Sequence, residues 1–345
     1  MKKIDIFTHI TTQKYLAALD MKVNPAITKD IPCRWLPGLA DLDKRFMVMD
    51  EYDEYMQILT QVNPPVENLC GPADALELCR IANDEMAELC LKYPERFFGA
   101  VAMLPLNDMD LSLKEAERAI KDLHLCGVQI YNTVAGKELD DPYLFPLYEM
   151  AEMTGFPIWI HPMHPNTGAV AKDENDFANQ RVFTNANDIA WAMTRSFFEL
   201  PIESARSVTR LVFSPVLDDH PNIKFILHHL GSLFPYLYGR IRIMFDMLES
   251  RSPEKHEMKR PILDYLKMFY VDTAIHGTPR SLMCGVDFYG ADQIMFGTDG
   301  PFDADLGRPT IQATIDAINK MDISDTERAQ IFEGNIIRLL KLTAR

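Results

Sequence analysis

Short runs rich in β-branched and aromatic residues recur along this chain, each bounded by turn residues and separated from the next by a stretch with helical periodicity. Eight runs are read this way: residues 4–9, 56–60, 97–103, 127–131, 157–161, 223–229, 269–273 and 293–299. The patterns between them, among them 73–92, 111–123, 143–153, 202–217 and 280–288, are long enough for the crossover helices that parallel strands require. This alternation predicts an α/β chain with a parallel sheet. Eight units fit a closed (β/α)8 TIM barrel better than an open doubly wound sheet, which alternation alone also allows.

Three segments break the alternation: 10–45, 163 to about 190, and the tail after Pro301. The first two follow strands, and loops after strands lie on the catalytic face of a barrel. The Pro-containing insertion at 10–45 and the polar loop at 163–190 are therefore expected to roof a site. The tail, 311–342, reads as two or three closing helices. At 345 residues the whole chain, 1–345, fits a single barrel domain.

Composition narrows the partners. A hydrophobic fraction of 47% supplies a full core, while 35 basic against 50 acidic residues give a net charge of −15 that repels nucleic acid and anionic membranes. No apolar run approaches the roughly 20 residues of a membrane span. Met1, Lys2 and Lys3 are followed by Asp5, Thr8 and His9, which interrupt the apolar stretch an export signal needs. The cysteines, Cys33, Cys70, Cys79, Cys90, Cys126 and Cys284, form no CxxC pair and suit reduced thiols, so a cytoplasmic location is expected.

Four of the nine histidines end predicted strands: His9, His161 and the adjacent His228 and His229. Asp299 ends the eighth. A lone strand-end histidine is more often a hydrogen-bonded structural residue than a ligand. In a barrel, however, all strand ends converge on one mouth, and two imidazoles with a carboxylate and open positions suit one divalent ion, zinc or manganese. Neighbours on a strand face opposite sides, so His228 is expected to point away from the mouth if His229 points in. His164 and His276 follow strands, where substrate contact and plain exposure are equally open. His124, His220 and His256 read as surface residues. With neither a phosphate-binding P-loop nor a GxSxG elbow in the sequence, the metal is the one cofactor expected.

The strings KIDIFTHI from Lys3, YPERFFGAVAMLPL from Tyr93, CGVQIYN from Cys126, LDDPYLFPLYEMAEMTGFPIWIHP from Leu139, HPNIKFILHHLGSLFPYLYGRI from His220, FYVDTA from Phe269 and IMFGTDGPF from Ile294 span nearly the whole chain. In this combination the sequence resembles the amidohydrolase-2 family, the branch of the amidohydrolase superfamily that includes aminocarboxymuconate-semialdehyde decarboxylase and γ-resorcylate-type decarboxylases. The resemblance implies that His9 and His161 are metal ligands, that Asp299 is bound to the metal or bears a proton beside it, and that His229 is catalytic. The family usually places another ligand two residues before His9, where this chain has Phe7. Phenylalanine cannot coordinate, so an open site of His9, His161 and Asp299 completed by water is expected, with Phe7 lining the same cavity. Arg45 and Arg240 match arginines near the family's substrate carboxylate, the second delivered across a homodimer interface. With His164 and Phe7 they make up the expected substrate-binding set.

The implied activity is metal-dependent, non-oxidative decarboxylation of a small hydroxy-aromatic or conjugated enol-type carboxylic acid. A mononuclear hydrolase of lactones, amides or esters, or a hydratase, would use the same metal water as a nucleophile. A barrel that lost its metal and only binds a ligand is the third reading, and it rests on Phe7 alone.

Overall fold

The computed structural model describes residues 1–29, 31–62, 64–163, 194–251 and 258–341. Eight parallel strands lie side by side in chain order: β1 (Lys3–Ile10), β2 (Tyr55–Gln61), β3 (Phe97–Ala102), β4 (Gly127–Tyr131), β5 (Ile158–His161), β6 (Phe225–Leu227), β7 (Tyr270–Asp272) and β8 (Ile294–Met295). The edges meet. Ile6 N donates to Phe296 O at 2.9 Å, Asp299 N to Phe7 O at 2.9 Å and His9 N to Gly300 O at 2.8 Å, so the chain beyond β8 closes on β1 and the sheet is a (β/α)8 barrel.

Each apolar run lies on one strand. The last three strands are shorter than the runs that predict them, because the chain leaves the extended conformation where polar residues begin. His229 (φ 57°) and Asp299 (φ 59°) both adopt left-handed backbone.

Crossover helices Pro72–Lys92, Met109–Lys121, Phe145–Thr154, Leu200–Val212, Phe234–Arg251 and Pro279–Tyr289 surround the barrel, and Arg308–Asn319, Asp325–Ala329 and Asn335–Leu339 close it. Their starts are written locally. Pro72 sits in a first turn, and the side chains of Asp108 and Thr278 accept from Leu111 N at 3.0 Å and Ser281 N at 3.1 Å.

Two apolar layers hold this together. Ile4, Ile6, Ile58, Val101, Trp159 and Ile226 fill one cluster with Phe7, while a larger one lies between strands and helices. The insertion after β1 has an apolar core of its own. Tyr15, Leu19 and Leu39 pack with Val66, Leu78 and Ala82 into a third cluster, anchoring helix Gln13–Lys22 on helix Pro72–Lys92. The insertion also reaches further than 45, through helix Leu42–Met49, to the start of β2. All six cysteines are free, and among the described residues no helix is long and apolar enough to cross a membrane. His164, His256 and the segment 164–190 lie outside the described residues.

Candidate active site

The strand ends bring together residues far apart in sequence. His9 Nε2 lies 3.3 Å from His161 Nε2 and 3.2 Å from Asp299 Oδ1, and the other oxygen of Asp299 lies 3.3 Å from His229 Nε2. His9 is fully buried, and the side chains of His229 and Asp299 are 14% and 18% exposed, so the set runs from the barrel interior to its rim.

Hydrogen bonds on the far side of each ring fix its tautomer. The Thr60 hydroxyl donates to Thr8 O at 3.0 Å, so its oxygen accepts from His9 Nδ1–H at 3.1 Å. His161 Nδ1 lies 2.6 Å from Pro162 O, and a carbonyl only accepts. With the hydrogens on Nδ1, the neutral forms of the two rings would direct Nε2 lone pairs at each other, with a carboxylate oxygen alongside. Electron pairs gathered at 3.2–3.3 Å repel unless positive charge sits among them, which is the chemistry of a metal donor set. Among the described residues no group of three or more His, Cys, Asp or Glu side chains is arranged as a metal site. The donor atoms that His9, His161 and Asp299 bring together are nonetheless of the type that suits a divalent ion in an open site.

His229 has the opposite tautomer: Nε2–H donates to Asp299, and buried Nδ1 has no partner among the described residues. Burial alone would raise the Asp299 carboxyl, but the hydrogen bond from His229 holds it well below the usual carboxylate range. Burial would lower His229; the hydrogen bond to Asp299 raises it instead. For His161, burial and the neighbouring histidines keep the ring neutral, as a ligand must be. Positive φ at both His229 and Asp299 means that backbone strain holds the contact, a feature that concentrates at working sites.

An amidohydrolase family model matches residues 4–342. The chain belongs to the amidohydrolase family. It is 30% identical over 304 residues to the 2-amino-3-carboxymuconate-6-semialdehyde decarboxylase of Dictyostelium discoideum, covering 88% of this chain and 77% of the relative. It is 28% identical over 307 residues to the γ-resorcylate decarboxylase of a Rhizobium species, covering 87% of each. Among solved structures, dihydroxybenzoic acid decarboxylase of a Polaromonas species, with bound manganese and the inhibitor 2-nitroresorcinol, superposes with a TM-score of 0.77 at 27% identity, over 100% of this chain and 98% of that one.

In this amidohydrolase Phe7 occupies the floor of the site, its ring 4.7 Å from that of His9 and 5.5 Å from that of His161. His228 differs from expectation. Instead of turning away it stacks on Phe7, with ring centroids 3.4 Å apart and planes 13° apart. The alternation rule fails because β6 ends at Leu227, and the left-handed turn at His229 and Leu230 lets both rings face inward.

Arg45 is buried, and its guanidinium donates to His9 O, to Gly38 O at 3.1 Å and to Gln57 Oε1 at 2.7 Å, so it braces the end of β1. Burial lowers it to about 10. Below it Asp5, raised by burial to about 7, accepts from Tyr55, Thr298 and Phe7 N and ties β1 to β2 and β8. Arg240 is exposed on helix Phe234–Arg251. His276 and His124 are exposed, and half-buried His220 pairs with Glu152 at 3.1 Å. Sequence reasoning missed Thr60, Asp272 and the rim ring of Phe302, 5.1 Å from that of His9. Thr60 is the penultimate residue of β2 and Asp272 the last of β7, and a polar residue so near a strand end was the available signal.

Proposed function

We propose that this amidohydrolase is a divalent-metal-dependent, non-oxidative decarboxylase of a small hydroxy-aromatic or conjugated enol-type carboxylic acid. The contact series His161, His9, Asp299, His229 at the barrel mouth carries the reading, in a chain aligned over 88% of its length with a decarboxylase. His9, His161 and Asp299 would hold the ion, zinc or manganese, which when bound supplies positive charge to the carboxylate and neighbouring hydroxyl oxygens of the substrate.

An aromatic acid that simply lost carbon dioxide would leave an electron pair in the ring plane, outside the π system. A proton delivered first to the carboxyl-bearing carbon makes that carbon tetrahedral. The carbon–carbon bond then breaks, its electron pair returns to the ring, and carbon dioxide leaves. In this reading His229 delivers that proton and Asp299 steadies its cationic form. Phe7 and Phe302 give the ring apolar surface.

The reading includes a cytoplasmic homodimer. Reduced cysteines support the first. For the second, helix Phe234–Arg251 presents Tyr236 (79% exposed), Ile243 (62%) and Leu248 (61%) beside Arg240, a surface suited to burial against a second copy that would receive the arginine at its substrate carboxylate. The deciding experiment is metal analysis of protein purified without chelators, followed by a screen of hydroxybenzoates for carbon dioxide release. Release that chelation abolishes and zinc or manganese restores is expected. Hydrolysis of esters or lactones without carbon dioxide would overturn the reading.

A further inference from the structure

The site contains a third imidazole that this chemistry leaves unused. His228 is 1% exposed, and its Nδ1 lies 2.8 Å from Asp272 Oδ2. A carboxylate only accepts, so Nδ1 carries the hydrogen and the acceptor of the neutral ring is Nε2. That atom is buried and has no hydrogen-bond partner among the described residues. Leaving a buried acceptor unpaired is unfavourable, yet the surroundings enforce it. Asp272 is itself fixed, its other oxygen accepting from Leu230 N at 3.2 Å and Ala274 N at 2.9 Å.

The ring's place is equally determined. It lies flat on Phe7 and 5.6 Å from the His161 ring, centroid to centroid. Gly297 permits the stack to close: a Cβ there would meet Asp272 Cβ at 2.8 Å and Phe7 Cβ at 3.2 Å. Phe7 thus occupies the donor-less position on β1 and stacks against a donor from the residue just beyond β6. Beside His161 this adds a further electron-pair donor, while Arg45 is turned to backbone and amide oxygens.

We propose that His228 Nε2 is a third imidazole ligand of the divalent ion, standing in for the donor that Phe7 cannot supply and oriented by Asp272 through Nδ1. The inference rests on the metal-dependent reading of the site. In it Phe7 is a plate that sets the plane of the ligand ring, and Asp272 raises its basicity in the manner of carboxylates behind metal-bound histidines.

The test counts ligands directly. In wild-type protein labelled with ¹⁵N-histidine, zinc binding is expected to shift the Nε2 resonances of His9, His161 and His228 by the large displacement of direct coordination. A wild-type protein that binds no divalent ion overturns the metal reading and this inference together; zinc bound with His228 unshifted overturns the inference alone. By calorimetry, His228→Gln should weaken zinc about 100-fold and Asp272→Asn about tenfold. Exchanging the two positions, Phe7→His with His228→Phe, should bring affinity back to within about tenfold of wild type. Wild-type affinity in His228→Gln would refute the ligand role, and if that variant fails to fold the wild-type resonance count decides.

Discussion

Asp299 and Glu67 are both carboxyls in the barrel mouth, and the protein treats them in opposite ways. Asp299 faces imidazole nitrogens at 3.2 and 3.3 Å, and it stays ionised even though burial works against the charge. Glu67, 2% exposed, lines a small cavity at the ends of β2, β3 and β4 with Gln61, Gln129 and Tyr131. Among the described residues no hydrogen-bond partner faces its Oε1, nor the Oε1 atoms of Gln61 and Gln129, and burial pushes the Glu67 carboxyl up to about 8. Burial alone therefore does not decide charge here; what faces the group does. Tyr131 is the wall between the halves, its ring 5.4 Å from His161 and its hydroxyl accepting from Gln129 at 3.0 Å.

The sharpest way to break the contrast is to empty the charged half. His161→Ala should strip the metal and lower kcat/KM by about 10³-fold or more, the scale of several kcal/mol of charge stabilisation. Metal analysis and kinetics on one preparation check it. Retained activity with full metal content would remove His161 from the ligand set.

A smaller loss is expected where a proton is moved and no ligand removed. His229→Ala should keep metal near wild-type content while kcat falls about 10²-fold. Loss of metal from this variant would make His229 a ligand. The arginine can be placed by mixing two inactive proteins. Arg240→Ala and His229→Ala subunits, exchanged at equal concentration, should give about a quarter of wild-type activity, since half the dimers are mixed and each of these has one intact site. No recovery despite proven exchange would show that Arg240 serves its own barrel or none.

The barrel was legible because strands buried on both faces read as continuous apolar runs, as in 97–103 and 225–227. Helix Phe234–Arg251 was not read from periodicity, since exposed Tyr236, Tyr238, Ile243 and Leu248 leave no single apolar stripe. His9, His161, His229 and Asp299 could be named because a barrel turns strand ends into neighbours. Thr60 and Asp272 could not, because each acts on a ring brought beside it only by folding, His9 in one case and His228 in the other. The inward turn of His228 depends on where β6 stops, which the run 223–229 overestimates.

The mildest test concerns the uncharged half and uses pH. Glu67 has an ordinary value of 4.5 and a folded value of about 8. Between these the folded chain holds a proton that the unfolded chain has released, so stability falls as pH rises through the window and levels off above about 8. Glu67→Gln replaces the neutral acid with an amide of nearly the same shape that cannot ionise, so this slope should vanish. Urea unfolding of both proteins near the two ends of the window checks it. At the acid end the two should be about equally stable, and toward neutral pH the variant should gain on the order of 2 kcal/mol over wild type. Asp5, also raised, is present in both chains and cancels in the difference. Parallel pH profiles would mean that Glu67 is ionised in the folded protein, and that the two halves of the mouth do not differ in how they hold charge.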